Sequence, residues 1–254
     1  MRSKPHQILV VLVLMSSFGL TAVDASKITV GPTECDYSKI SDAIEAADPG
    51  DLIEVQNGTY CENLILDKSI KLRGIAVEET MPILDANGKG NAITILANST
   101  EISGFVIRKS GTGKAGIEVR SNKNVIEKNC ITDNKWYGIY LEGSCDNFIR
   151  ENSISNNKYG IWIDFMSEDN KVYKNELVGN KNYDALDSGD NNKWDGNLFG
   201  NFDKFFDEVK SIYEVPGGSN VDENPQEPEP LPELPTTKSS AISVKIAIPA
   251  PIVE

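Results

Sequence analysis

Aromatic and charged residues recur in this sequence at a nearly constant interval. Tyr137, Tyr159 and Tyr183 are 22 and 24 residues apart, and Tyr140 and Trp162 follow the first two by three residues each. Aligned on the same interval, Arg120, Glu142 and Asp164 form a parallel series. Flat rings cover the apolar C–H faces of sugars, while carboxylates and guanidinium groups bond to their hydroxyls. The combination reads as a carbohydrate platform, with ring–ring packing alone as the other reading. Glu142 and Asp164 are also the pair to consider for glycoside hydrolysis, which needs two carboxyl groups about 5–9.5 Å apart across the scissile bond. Nothing in the sequence marks one of them as acid and the other as base. No catalytic residue is therefore assigned, and the pair stands as the alternative.

Other chemistries find fewer residues. A lyase acting on uronates needs a base beside a calcium-held sugar, and the Lys and Arg residues look scattered. The clearest acidic cluster, Asp184, Asp187, Asp190 and Asp195, lacks the spacing of an EF-hand. No cofactor is expected, calcium being the only candidate. Soft copper takes Cys, Met or His. The single histidine is His6, methionines past position 25 occur only at 81 and 166, and the four cysteines are dispersed, so no metal site is expected. A net charge of −13 argues against nucleic acid as a partner, because binding to phosphates needs clustered Lys and Arg.

These series must be carried by a repeat. Gly116-Ile-Glu-Val, Gly138-Ile-Tyr-Leu and Gly160-Ile-Trp-Ile step by 22 residues, and Asp184-Ala-Leu-Asp is a degenerate fourth copy. A second marker, Asn followed by four residues and another Asn, occurs as Asn124/Asn129, Asn147/Asn152, Asn170/Asn175 and Asn192/Asn197. Each copy holds short β-type runs separated by Asn, Gly, Asp and Ser, and none can bury its apolar face alone. Stacked copies solve that problem, each bonding to the next at about 4.8 Å. Ile117, Ile139 and Ile161 then form one inward column, and Val119, Leu141 and Ile163 another. Asn129, Asn152 and Asn175 form a ladder at a turn, as Asn side chains do in stacked β arrays. The expected fold is all-β, a right-handed single-stranded parallel β-helix of about seven coils. Looser strand-like runs upstream, such as Leu52–Val55, Leu64–Leu66 and Ile93–Ile95, continue it.

Open solenoid ends need caps. A helix over Tyr37–Ala47 is expected at one end and a phenylalanine-rich helix over Leu198–Tyr213 at the other. Residues 1–25 read as a secretory signal, with Arg2 and Lys4 before the apolar run Ile8–Leu14 and cleavage after Ala25. Residues 26–213 form the β-helix domain. Residues 214–254 read as a Pro-rich acidic tail, with seven acidic residues against two lysines. No stretch of the mature chain is suited to span a membrane. Secretion to the periplasm, the cell surface or the medium permits disulfides. A Cys35–Cys61 bridge is expected at the N-terminal cap, with Cys130 and Cys145 unbridged because they occupy different repeat positions. Asn57 and Asn98 head N-glycosylation sequons.

The Gly-Ile-x-Leu/Ile copies with their spaced asparagines resemble the parallel β-helix repeats of the NosD-like and CASH (carbohydrate-binding and sugar-hydrolase) group. Pro49–Tyr60 resembles that group's entry coil and Asn191–Asn197 its closing coil, so the resemblance covers about residues 28–205. That group includes polysaccharide lyases and hydrolases, surface proteins, and an accessory factor in copper-site assembly of nitrous-oxide reductase. The residues favour a secreted or surface protein that binds a polysaccharide or cell-envelope polymer along its lateral face without catalysis. The alternatives are a carbohydrate-active enzyme and a NosD-like copper accessory factor.

Overall fold

A computed structural model describes residues 25–208 and 210–226. The chain winds into a parallel β-helix whose three lateral faces are long sheets, here called A, B and C. Sheet A starts at Lys27–Val30 and adds a parallel strand per turn through Leu52–Val55, Lys71–Gly74, Glu101–Ser103, Val125–Glu127, Phe148–Arg150, Lys171–Tyr173 and Lys193–Asp195. Sheet B runs from Thr59–Tyr60 to Leu198–Phe199, and sheet C from Leu64–Leu66 to Tyr183–Asp187. Sheet A thus shows eight rungs, one more than the sequence suggests, because the irregular first turn hides its repeat.

The inward columns form as the spacing requires. Ile117 pairs in register with Ile139, and Ile139 with Ile161; Val119, Leu141 and Ile163 do the same. All six are fully buried. Burying each such side chain contributes roughly 1.5–3 kcal/mol, which the isolated copy could not gain. The glycine that opens each copy is required by close approach. A Cβ on Gly138 would lie 2.6 Å from the Gly160 carbonyl oxygen and 2.7 Å from Ile154 Cγ2 in neighbouring strands.

Each corner of the helix is turned by a residue with positive φ, followed by a ladder residue. Lys128, Glu151 and Lys174 precede Asn129, Asn152 and Asn175; Lys123, Asp146 and Asp169 precede Asn124, Asn147 and Asn170. Along both ladders the backbone N–H of each asparagine donates to Oδ1 of the next, at 2.9–3.1 Å, for example Asn129 to Asn152, Asn152 to Asn175 and Asn124 to Asn147. A third ladder, absent from the sequence reading, occupies the remaining corner as Asn134, Asn157 and Asn180.

The ends differ from expectation in several ways. The N-terminal helix α1 covers Ile40–Ala46, while Tyr37 instead bridges Val30 in extended form. At the C-terminus only Phe202–Phe205 is helical (α2). Leu198–Phe199 extends sheet B, and Phe206–Asp207 pairs antiparallel with Ile212–Glu214, which pairs with Val221–Asp222. The open strand edges at this end are met by backbone partners, from Phe206–Asp207, Ile212–Glu214 and Val221–Asp222, in place of a covering helix. The folded unit therefore runs past residue 213: Val221–Asp222 docks on Trp194, and the Gln226 N–H donates to the Asn197 carbonyl. The expected tail shrinks accordingly, and its remainder, like Val209 and residues 1–24 of the expected signal, lies outside the described residues. The aromatics of the expected lid are split. Phe199 and Tyr213 stack at 3.7 Å in the buried end, while Phe202 and Phe206 stack at 4.4 Å nearer the surface.

All four cysteines are free, so the expected Cys35–Cys61 bridge is not formed. The strand alternation explains it: Tyr60 points into the core, which turns Cys61 outward, while Cys35 sits against Gly31. Of the sequon residues, Asn57 lies half-buried before Thr59–Tyr60, and Asn98 is exposed with its Oδ1 accepting from the Asn122 N–H.

Candidate functional site

The aromatic series lies on the outer surface of sheet C. Tyr137, Tyr159 and Tyr183 head successive strands and pair in register, as do Tyr140 and Trp162 two strand positions beyond the buried glycine. Inward Ile139 and Leu141 force Tyr140 outward, because side chains alternate along a strand. All five rings are half-buried. Tyr137 stacks on Tyr140 at 4.8 Å and on Tyr159 at 5.6 Å, and Trp162 stands edge-on to both Tyr137 and Tyr159. Tyr159 and Tyr183 continue the row, nearly parallel at 6.4 Å. Trp136, which has no counterpart in the neighbouring copies and so no periodic signal, joins beside Tyr137 and carries the Lys158 ammonium over its ring at 3.2 Å.

A groove of about 380 Å³ opens between Tyr137, Tyr140 and Trp162 on one side and Glu142, Asp164, Phe165 and Met166 on the other. Phe165 and Met166 are 74% and 56% exposed, an apolar rim in a turn where the sequence gives no periodic signal. Other hollows lie elsewhere. One of about 320 Å³ lies beneath α1 and one of about 660 Å³ where Val221–Asp222 meets sheet A; neither holds stacked rings.

The charged series is largely engaged with itself. The Arg120 Nε lies 3.1 Å from Glu118 and 2.7 Å from Glu142, so its guanidinium bridges two carboxylates across the rungs. Asp164 is buried, and its Oδ1 accepts from Ser167 Oγ at 2.7 Å, from the Met166 N–H at 3.1 Å and from the Gly143 N–H at 3.2 Å. A hydrolytic pair needs both carboxyl groups turned to the glycosidic oxygen; here one is spent on shaping its own turn. Burial, and then the charges of Asp164 and Glu142, push the Tyr140 phenol up to about 12. It is thus a neutral hydrogen-bond donor near pH 7 and a poor base. Asp184 and Asp187, read as part of an acidic cluster, are buried beneath the C-terminal cap and accept hydrogen bonds from Asn180 and Asn192.

The lysines, scattered in the sequence, are ordered in space. Lys89, Lys114, Lys135, Lys158 and Lys181 fall at successive turns between sheets B and C, three or four residues before the inward Ile93, Ile117, Ile139 and Ile161 and Ala185. Their intervals of 25, 21, 23 and 23 residues hide this recurrence from a fixed period.

A family model described as "Periplasmic copper-binding protein (NosD)" matches residues 21–203. The chain belongs to the NosD family. Among solved structures, this NosD-family chain is similar to an alginate lyase from Paenibacillus sp. str. FPU-7, with 17% identity and a TM-score of 0.57 over 68% of this chain and 66% of that one. It is also similar to pectate lyase Pel9A, with 16% identity and a TM-score of 0.57 over 68% of this chain and 53% of that one. The chain thus matches under two thirds of either lyase, and the likeness is one of fold. No curated protein matches it.

The family description names copper, and the donor set does not fit it. Among the described residues, no three His, Cys, Asp or Glu side chains gather as a metal site. Cys130 lies on sheet B, Cys145 in a turn between sheets C and A, and Met166 on the groove rim. Burial, with Asp133 and Glu176 nearby, raises the Cys130 thiol above its ordinary range and disfavours the thiolate that soft metals take. His6 lies outside the described residues. No helix among the described residues is long and apolar enough to cross a membrane.

Proposed function

We propose that this NosD-family chain is a non-catalytic binding protein for an extended polysaccharide or cell-envelope polymer, working outside the cytoplasm. The observation that supports it is the continuous row from Tyr137 to Tyr183 on sheet C, bordered by a groove with carboxylates and an apolar rim. A linear polymer laid along the helix axis meets a ring at successive rungs, and the half-buried rings need little ordering on binding. The catalytic alternative, Glu142 with Asp164, gains no support from a carboxylate committed to its turn. The copper-accessory alternative rests on the family description and lacks a donor set among the described residues.

The test is a binding screen of soluble glycans with the wild-type chain and a Tyr140→Ala/Trp162→Ala variant. Binding lost in the variant, with its melting temperature close to wild type, supports the reading. Retained binding removes the platform from sheet C. Depolymerisation of any glycan, abolished in Glu142→Gln or Asp164→Asn, replaces the reading with catalysis.

A further inference from the structure

The corner between sheets B and C carries one lysine per rung over five rungs. Lys89, Lys114, Lys135 and Lys181 are exposed and Lys158 is half-buried. Backbone hydrogen bonds stack these turns directly: the Tyr137 N–H donates to the Lys114 carbonyl, the Lys158 N–H to Trp136, and the Asn182 N–H to Lys158. These bonds put Lys114, Trp136, Lys158 and Lys181 in register, with Lys135 one residue before Trp136 and the Lys158 ammonium resting on the Trp136 ring. With rungs about 4.8 Å apart, the lysines form a staggered basic strip along this corner. None of the five has a carboxylate within ion-pair distance among the described residues, whereas on sheet A Lys27, Lys71 and Arg150 are paired with Glu54, Glu101 and Glu127. Of the acids in or next to these five turns, Asp85 is buried and held by Arg108 and Lys109, and Asp184 is buried and accepts from Asn180 and Asn201, leaving Asp133 as the exposed one.

The overall charge of −13 opposes this local excess only weakly. Six residues of extended chain, about 3.3 Å each, separate Lys158 from Asp164 across the face, or roughly 20 Å. Charges that far apart are screened at physiological salt, where the Debye length is about 8 Å. Arg120 also neutralises Glu118 and Glu142 locally. Between the lysine column and the acids lies the aromatic row, whose tyrosines directly follow the lysine turns.

We infer that the ligand of this face is an acidic polysaccharide, with an anionic group on successive sugars, lying with its rings on Tyr137, Tyr159 and Tyr183 and its anions on the lysine column. This rests on the polysaccharide-binding reading above and adds the polymer's charge and its orientation across the face. A ligand without sugar rings leaves the aromatic row unused; a neutral glycan leaves the lysines unused.

The experiment is calorimetric titration of the full chain at low and high salt. The probes are oligogalacturonate, its neutral methyl ester, oligoalginate, neutral xylan oligomers and inorganic polyphosphate. The variants are Lys114→Gln/Lys135→Gln/Lys181→Gln, and Lys171→Gln/Lys193→Gln on sheet A as a control. The expected result is binding of an acidic oligosaccharide that weakens with salt. It should fall about tenfold or more in the corner variant, since each exposed ion pairing contributes a few-fold, and stay within twofold in the control. The replaced lysines are exposed, so melting temperatures should be unchanged. Binding of xylan or the methyl ester as tightly as the acidic oligomers, unaffected in the corner variant, overturns this inference and leaves the polysaccharide reading standing. Polyphosphate binding as tightly as the acidic oligomers overturns the sugar part of the assignment. No binding of any probe overturns both.

Discussion

Replacing Asn152 with alanine tests whether the corner ladders hold the rungs together. Asn152 is 2% exposed. Its Oδ1 accepts from the Asn129 N–H at 3.0 Å and from Asn129 Nδ2 at 3.1 Å, and its Nδ2 donates to the Ile126 carbonyl at 2.9 Å and to Asn175 Oδ1 at 3.0 Å. Alanine removes all four bonds. Asn129 Nδ2 keeps the Ile102 carbonyl as acceptor, and Asn175 Oδ1 keeps the Asn152 backbone N–H, but the buried Asn129 N–H is left without a partner. An orphaned buried donor costs about 1–3 kcal/mol, and each further lost bond about 0.5–1.5 kcal/mol net. Because two of the groups keep partners, we expect about 3 kcal/mol. For a folded unit of this size, that lowers the melting temperature by about 6–12 °C. Glu168→Ala, at an exposed turn position, should stay within about 0.5 kcal/mol. Asn152→Asp keeps the acceptor but loses both donors and buries a charge, so it should destabilise at least as much as alanine. The assay is thermal and urea unfolding followed by far-ultraviolet circular dichroism. An Asn152→Ala variant indistinguishable from Glu168→Ala would refute the reasoning, because the corner amides would then be as well satisfied by water.

Gly138→Ala should destabilise by more than about 2 kcal/mol in the same unfolding assay, because its Cβ would meet the Gly160 carbonyl and the fully buried Ile154 and Asn157 side chains, which have no room to give way; an unchanged midpoint would show that the rungs can slide apart. Burial raises the carboxyls of Asp184, Asp187 and Asp222 above their ordinary value, so each takes up a proton more readily in the folded cap than in the unfolded chain. Their contribution is full below the unfolded value of about 3.9 and is lost as pH rises through the raised native values. Amides of residues 196–208 and 210–222 should therefore exchange more slowly, after correction for intrinsic rates, as pH is lowered through those raised values, and faster exchange would contradict the assignment. The opposite sign holds for Asp51 and Asp85, whose carboxyls are held low, by the Asp48 N–H for Asp51 and by Lys109, Asn87 and Arg108 for Asp85. Their contribution should vanish only as pH falls through those lowered values, seen as acid loosening of the N-terminal rungs. Copper titrated into the chain lacking residues 1–25 should give no saturable heat, and a stoichiometric isotherm would reveal donors beyond those described.

The repeat was legible because its two markers answer to separate physical demands. The glycine of Gly-Ile-x-Leu is fixed by a carbonyl in the next rung, and the asparagines by buried backbone groups at the corners. The third ladder was equally written, since Asn134, Asn157 and Asn180 each follow Asn129, Asn152 and Asn175 by five residues. The same four-residue spacing, extended once more from each pair, reaches it. The C-terminal cap was less legible. Phe199, Phe202, Phe205 and Phe206 fall near one helical face, but periodicity carries no information about the strand edges that the preceding rungs leave open. At the site, the register of Tyr137, Tyr140, Tyr159 and Trp162 followed from the repeat, while the commitment of Asp164 to Ser167 and Gly143 depends on a local turn with no periodic signature. The lysine column was hidden because the corner between sheets B and C varies in length.

The acidic residues at the end of the repeat find their explanation in the ladders rather than in a metal. All three ladders have one polarity: each rung donates its N–H groups to the oxygen of the next. The last asparagine of each therefore faces the open end with donors unsatisfied, much as a helix N-terminus does. Each meets a carboxylate there. Asn180 donates to Asp184, Asn192 to Asp187 and Asn197 to Asp222. Asp184 stands where earlier copies have glycine, and Asp187 where they have Val119, Leu141 and Ile163. A side chain is tolerated at the first position, and a charge at the second, because no further rung of sheet C follows. Asp187 Oδ2 also accepts from Trp194 Nε1 at 2.7 Å, tying the ladder end to the aromatic core of the cap. The degenerate fourth copy is thus the repeat written for a rung with only one neighbour, and its departures from the pattern mark where the solenoid stops.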